Sequence, residues 1–291
     1  MKNSMPIKSC TALHLLCLLF IVAANAQPRT KQVIVEGNGR PLLLLNGGNF
    51  DITSFAAHAK LLSDSFTVIR MQQFNTQYAL QGKQLPADYS IATETAALVA
   101  TLDSLHITAP LVVVGHSLGG VIAFDLAMHY PNRVALLVLV EAPLYHLAQA
   151  RGAYTAQMKS IDELTKNFTF SAIITEAMLK DFRCAIMNCD SIDIYKHPMW
   201  PTWVQKKDAL RGLSAVANYK VDPMQVKAYK KPVLIVTGTR TIDANRIVDE
   251  LLVKEFPQAT AGSLPGEHTA IYPNVPVFAQ LLRNFVAANS Q

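Results

Sequence analysis

The chain has 291 residues, is 51% hydrophobic and 16% charged, and carries a formal charge of +5. The positive excess is spread along the sequence, with no basic cluster interleaved with aromatics, so nucleic-acid binding is not implied. This much apolar sequence supplies a sizeable core, enough for one large domain with an insertion.

Residues 1–8 carry Lys2 and Lys8 and no acid, residues 10–23 are almost wholly apolar, and Ala24-Asn25-Ala26 offers the small residues of a cleavage site. This is the pattern of a secretory signal peptide, residues 1–26, cleaved after Ala26 to give a secreted or periplasmic protein. The apolar run is shorter than the roughly 20 residues a spanning helix needs, so no stable membrane span is expected. An uncleaved anchor is the alternative. Bulky Leu15 and Leu16 precede Cys17, where lipid attachment wants small residues. Loss of Lys2 and Lys8 leaves +3 (5 − 2) on the mature chain. Cys10 and Cys17 leave with the leader, so only Cys184 and Cys189 remain, in a compartment where disulfides persist. A bridge between them is expected if the segment joining them is a loop. On one continuous helix, cysteines five apart point to different faces. Two thiols alone do not close a zinc site, and no metal is expected.

Beyond the leader, residues 32–35 and 41–45, joined through Gly37-Asn38-Gly39, predict a starting hairpin. A helix over 53–62 leads to a strand over 66–70, and a helix over 90–105 to a strand over 110–114. Val134–Val140 and residues 232–236 are further apolar strands, residues 259–264 a weaker one, and 277–288 a closing amphipathic helix. Strands alternating with helices predict a doubly wound α/β fold, its mostly parallel sheet covered by helices on both faces. Residues 145–227 contain no strong strand but have helical stretches at 153–165 and 171–183, and are too long for a single connection. They read as a helical cap inserted between a first core segment, 27–144, and a second, 228–291. Asn167-Phe168-Thr169 matches a glycosylation acceptor.

Between the strand at 110–114 and a helix over 121–129 stands Gly115-His116-Ser117-Leu118-Gly119-Gly120. Strand, Gly-x-Ser-x-Gly, helix is the context in which a serine is exposed as a nucleophile on a tight, strained turn. Side chains at the flanking glycines would collide with the neighbouring strand or helix. A serine hydroxyl is a weak nucleophile at neutral pH and needs a base within reach.

The elbow and the order of elements resemble the α/β-hydrolase superfamily, in particular its capped kind, related to esterases, epoxide hydrolases and haloalkane dehalogenases. The resemblance implies a triad in the order serine, acid, histidine. Of the late histidines His146, His197 and His268, only His268 follows the last strand and precedes the closing helix, where the family places its base. His116 is expected to pack beside the strand. By similarity, the N–H groups of Gly48 and Leu118 form the oxyanion hole, with Asn46 replacing the family's usual histidine. The acid has two placements. The usual seat, three residues after Gly238, holds Thr241, and the nearest acid there is Asp243. Some relatives place the acid at the end of the strand after the elbow helix, where Glu141 stands, and Glu141 is favoured. Gln72, Gln73 and Asn75 read as loop or pocket-rim polar groups.

The resemblance implies a secreted serine hydrolase that cleaves a carboxylic ester or related acyl bond without metal or organic cofactor. Its substrate is a small acyl compound held in an apolar pocket shaped by cap tryptophans and methionines. Serine at 117 argues against dehalogenase and epoxide hydrolase chemistry, which uses an aspartate nucleophile. Cofactor-free carbon–carbon hydrolysis and haloperoxidase chemistry use the same triad and are alternatives. A non-catalytic binding protein is another, prompted by Thr241.

Overall fold

A computed structural model describes residues 31–189 and 193–290. The expected leader, 1–26, lies outside the described residues. In chain order the first half contains β1 (Val33–Glu36), β2 (Arg40–Leu45), α1 (Ala56–Leu62), β3 (Phe66–Met71), α2 (Phe74–Leu80), α3 (Ile91–Ser104), β4 (Leu111–His116) and α4 (Leu118–His129). After β5 (Val134–Val140) come only helices: α5 (Tyr145–Ala150), α6 (Ala156–Phe170), α7 (Glu176–Ile186), α8 (Trp200–Gln205), α9 (Ser214–Asn218) and α10 (Pro223–Ala228). The sheet resumes with β6 (Val233–Gly238), α11 (Asp243–Glu255) and β7 (Ala259–Leu264), and α12 (Val275–Ala288) closes the chain.

The strands form one sheet in the order β1-β3-β2-β4-β5-β6-β7. All neighbours run parallel except β1, which lies antiparallel to β3. The expected opening hairpin is therefore not formed. β1 and β2 are consecutive but do not pair, because β3 lies between them. Gly37 and Gly39 take φ of 82° and 118° and turn the chain across the end of β3, against backbone atoms of Ser63, Ser65 and Phe66. An added Cβ would meet those atoms, so these turns need glycine.

Every residue of β4 is buried, as expected of a central parallel strand with near-continuous apolar sequence. Successive strand side chains go to opposite faces. Leu43, Leu45, Val113, Leu137 and Ile235 pack with α3, α4, α11 and the helices between β5 and β6. Leu42, Leu44, Val112, Val138 and Val236 pack with α1 and α12. Side-chain caps set several helix starts: Ser90 caps α3 in a reciprocal box with Thr93, Thr155 caps α6 and Thr175 caps α7.

The path from β2 out to β3 and back to β4 reverses direction between β2 and β4. In open α/β sheets such a switch point leaves a crevice beyond the carboxyl ends of the strands. Gly47-Gly48, after β2, and Ser117, after β4, flank it.

Candidate active site

Ser117 occupies the turn between β4 and α4 with φ 54° and ψ −121°, a conformation that non-glycine residues rarely adopt. The turn closes because the flanking residues lack side chains. A Cβ on Gly115 would strike the Gly119 carbonyl, and one on Gly119 the carbonyls of Leu45 and Asn46. Leu118 supplies the first N–H of α4, and the first N–H groups of a helix have no intrahelical acceptor. A Cβ on Gly48 would sit 3.6 Å from Leu118 Cδ2, so the two residues expected to form an oxyanion hole are neighbours.

His268, in the loop between β7 and α12, places Nε2 3.0 Å from Ser117 Oγ. Its Nδ1 faces Glu141 Oε2 at 3.3 Å. With the proton on Nδ1, the Ser117 hydroxyl donates to Nε2 and the ring donates to Glu141. All three side chains belong to buried or half-buried residues.

Glu141 ends β5 and takes φ of 50°. Gly238 N–H donates to its Oε1 at 2.6 Å. The Thr241 hydroxyl and the Asn245 amide donate to its Oε2 at 2.6 and 2.8 Å. Burial raises the pKa of such a carboxyl, but the hydrogen bond and charge of His268, with the Thr241 and Gly238 bonds, bring it below the usual range. Burial and the Glu141 charge push the nearby Asp249 carboxyl well up, the direction opposite to that of Glu141. Asp243 stands elsewhere. It opens α11 on the surface and pairs with Arg246 at 2.8 Å, so it does not reach His268. The loop after β6 places Thr241, not an acid, against the site.

The sequence alone did not single out Asn245. Tyr145 donates to its Oδ1 at 2.8 Å, which turns its Nδ2 toward Glu141, 3.1 Å from His268 Nδ1. Its signal is the spacing of Asn245, Val248, Asp249 and Leu252, the buried stripe of α11 with two polar residues on it.

The polar run after β3 does more than line a loop: Gln72 and Gln73 lie in the loop before α2, and Asn75 stands in that helix's first turn and lines a surface cavity. Gln72, Gln73 and Asn75 are buried. Gln73 Nε2 donates to the Asn46 carbonyl at 2.7 Å, Asn75 Nδ2 to the carbonyls of Gly48 and Ala209, and Gln72 Oε1 accepts from Ile52 N–H. They fix the loop that carries Gly48, because backbone carbonyls in a buried loop need donors. Asn46, where the family's histidine was absent, donates to the Asp51 carbonyl at 2.7 Å within the same loop.

His116 is wholly buried, as expected of a packing residue. Its Nε2 donates to the His268 carbonyl at 2.7 Å, and its Nδ1 accepts from the Tyr272 hydroxyl at 3.1 Å. Tyr272 in turn accepts from Gly47 N–H. Burial and the neighbouring His268 hold His116 far below the usual histidine range, hence neutral.

Above Ser117 an apolar pocket is walled by Leu118, Ile161, Phe182, Ile186, Leu213 and Val216. The tryptophans and methionines expected there are not its lining. Trp203 is buried behind it, stacked on His197 and 4.0 Å from the Arg183 guanidinium. Leu179, Phe182, Arg183 and Ile186 form the buried face of α7. Cys184 and Cys189 are bridged, with Cα atoms 5.2 Å apart. The helix ends at Ile186, so Cys189 is free of the helical path that would separate the two thiols. His146 accepts from Val221 N–H, away from Ser117. Among the described residues no cluster of three or more His, Cys, Asp or Glu side chains could hold a metal, and no helix is long and apolar enough to cross a membrane.

A profile of the alpha/beta hydrolase family matches residues 42–279. Over 112 residues the chain is 36% identical to an uncharacterized protein of Mycobacterium tuberculosis, a match covering 37% of this chain and 30% of that one. Over 118 residues it is 25% identical to the cis-3-alkyl-4-alkyloxetan-2-one decarboxylase of Shewanella oneidensis, covering 40% and 37%. The matched segments thus span about a third of the length of these curated relatives. A thermophilic esterase from Thermogutta terrifontis, solved with malate bound, superposes with a TM-score of 0.68 at 20% identity over 90% of this chain and 94% of its own. That likeness is one of fold. With the profile spanning both halves of the sheet, the chain belongs to the alpha/beta hydrolase family.

Proposed function

We propose that the protein is a serine hydrolase that cleaves a carboxylic ester or a related acyl bond through an acyl-enzyme on Ser117. The observation that carries this reading is the chain of contacts Ser117 Oγ–His268 Nε2 at 3.0 Å and His268 Nδ1–Glu141 Oε2 at 3.3 Å. His268 takes the hydroxyl proton as Oγ attacks the acyl carbon. Glu141 holds the imidazole in the Nδ1–H tautomer and stabilises the imidazolium that forms. The N–H groups of Gly48 and Leu118 meet the charge that develops on the carbonyl oxygen. His268 then gives its proton to the leaving group, and water, activated by the same imidazole, hydrolyses the acyl-enzyme. The apolar pocket over Ser117 takes the hydrocarbon part of the substrate.

The test is labelling of purified protein with a fluorophosphonate probe. Wild type labels and Ser117→Ala does not. Absence of labelling in the wild type, or equal labelling of both, overturns the assignment. The same reading has the protein exported, with Gln27 as its first mature residue. The leader pattern and the Cys184–Cys189 bridge support this, since disulfides persist in oxidising compartments. Mass spectrometry of the exported fraction from a producing bacterial host tests it, a mass that starts at Gln27 being the expected result.

A further inference from the structure

Arg183 is the least expected residue near the site. It sits on the apolar face of α7 between Phe182 and Ile186, and is 2% exposed. Its guanidinium lies 4.0 Å from the Trp203 ring and 5.6 Å from the rings of Phe50 and Phe182. Nη2 donates to Asn49 Oδ1, and Nε–H meets no acceptor among the described residues. No carboxylate among them pairs with it. Asp51, on the loop that carries Asn49, is taken by Lys206 at 2.6 Å.

Burying a cation without an anion is costly, and such charges are ordinarily paired. Aromatic faces offset part of that cost. They offer no acceptor to the outward N–H groups of a planar fork built to grip carboxylates. Burial pulls Arg183 down to about 9, which still leaves it cationic at neutral pH. Arg183 also lines the same narrow cavity as Ser117, His268, Gly48 and His116. Lys206 has its own carboxylate, and His197 stacks flat on Trp203 with burial and Arg183 lowering its pKa. Arg183 is therefore the uncompensated charge of this cavity.

We propose that Arg183 binds a carboxylate of the substrate, so that the bond cleaved belongs to an acyl compound bearing a carboxylate a few bonds from the scissile carbonyl. This rests on the Ser117 hydrolase reading and names its substrate class. The apolar pocket and the Arg183 cavity meet at Ser117, so one molecule places its hydrocarbon part in the first and its anion in the second.

The experiment pairs anionic with neutral esters. The carboxylate is placed on the acyl side in p-nitrophenyl hemiglutarate against p-nitrophenyl pentanoate, and on the leaving group in 3-acetoxybenzoate against phenyl acetate. Wild type is expected to prefer the anionic member of one pair by tenfold or more in kcat/KM, mainly through KM, and the preferred pair tells which side carries the charge. Arg183→Met should bring that ratio near one, and Arg183→Lys should keep part of it. Calorimetric binding of butyrate against butyramide to the wild type needs no variant, and butyrate should bind at least tenfold tighter. Equal binding of the two, or no anionic preference in an enzyme that turns over neutral esters, overturns the Arg183 inference alone. A wild type that neither labels nor turns over any ester, yet binds butyrate selectively, overturns the hydrolase reading and leaves the anion site standing.

Discussion

Thr241 donates its hydroxyl to Glu141 Oε2 across 2.6 Å. The position where the resemblance leads one to expect the acid is thus occupied by a donor to the carboxylate at the end of β5. Glu141 and the vacated seat belong to one hydrogen-bonded unit.

From this unit follows the first prediction. Glu141→Gln keeps the shape but presents an amide to His268 Nδ1, and kcat on a p-nitrophenyl ester should fall about 10³–10⁴-fold. Asp243→Asn, on the surface, should leave kcat within about twofold. Restoring an acid at the usual seat, in Glu141→Ala with Thr241→Asp, should recover about tenfold or more over Glu141→Ala alone. Steady-state kinetics on the wild type and the four variants check all three. A large loss in Asp243→Asn would refute the assignment.

Asn75 carries a second one. Its amide holds the Gly48 carbonyl and so fixes the residue whose N–H is proposed to meet the oxyanion. Asn75→Ala should lower kcat about tenfold or more while changing KM little, since the interaction matters most in the transition state. The Gly48 and Ala209 carbonyls that lose this donor should also cost about 1–3 kcal/mol of stability by denaturant unfolding.

Tyr272 joins the two ends of the site, accepting from Gly47 N–H and donating to His116 Nδ1. Tyr272→Phe keeps the ring against Phe50 but orphans both partners. Stability should fall by about 1–3 kcal/mol. By thermal unfolding this is a Tm shift of roughly 2–4 °C per kcal/mol.

The pH dependence of stability has a defined sign. Burial lowers His58 to about 4, and its Nε2 faces the Ile271 carbonyl at 3.0 Å. Below the unfolded-state value near 6.5, the unfolded chain takes up a proton that the folded one refuses. Stability from this residue is therefore present above about pH 6.5 and is lost as pH falls toward 4, by roughly 3 kcal/mol. His116 acts in the same direction, and Asp249, raised when folded, in the opposite one. His58→Gln should flatten the acid limb relative to wild type in urea titrations at pH 7 and pH 5. Parallel limbs would count against the assignment.

How much of this was legible in the chain depended on where periodicity or chain order decides the outcome. Val134–Val140 is a strand with the expected bounds because an apolar run between turn signals leaves no other register, whereas Ala259–Leu264, with Thr260, Gly262 and Ser263, takes its register from pairing with β6. Ser117 and His268 followed from motif and order. The hairpin failed because pairing partners of parallel strands are set by tertiary crossover, not by the turn between neighbours. Gln72, Gln73 and Asn75 read as loop or rim groups, but their burial and partners were not legible, since a polar run looks the same whether it faces solvent or satisfies a buried loop. Asn245 and Arg183 are polar residues on apolar helical stripes. Such an interruption marks an exception without naming its partner, which comes from another element.

The Cys184–Cys189 bridge lies at the end of α7, the helix that brings Phe182, Arg183 and Ile186 to Ser117. The sheet and the line from Ser117 to Glu141 owe it nothing. A copy made where thiols stay reduced would assemble the same sheet but hold the last turn of α7 less firmly, with packing and the Arg183–Asn49 hydrogen bond left to keep it in place. On the proposed reading, the redox state of these two thiols bears on which substrates fit beside Ser117 rather than on the bond-breaking step.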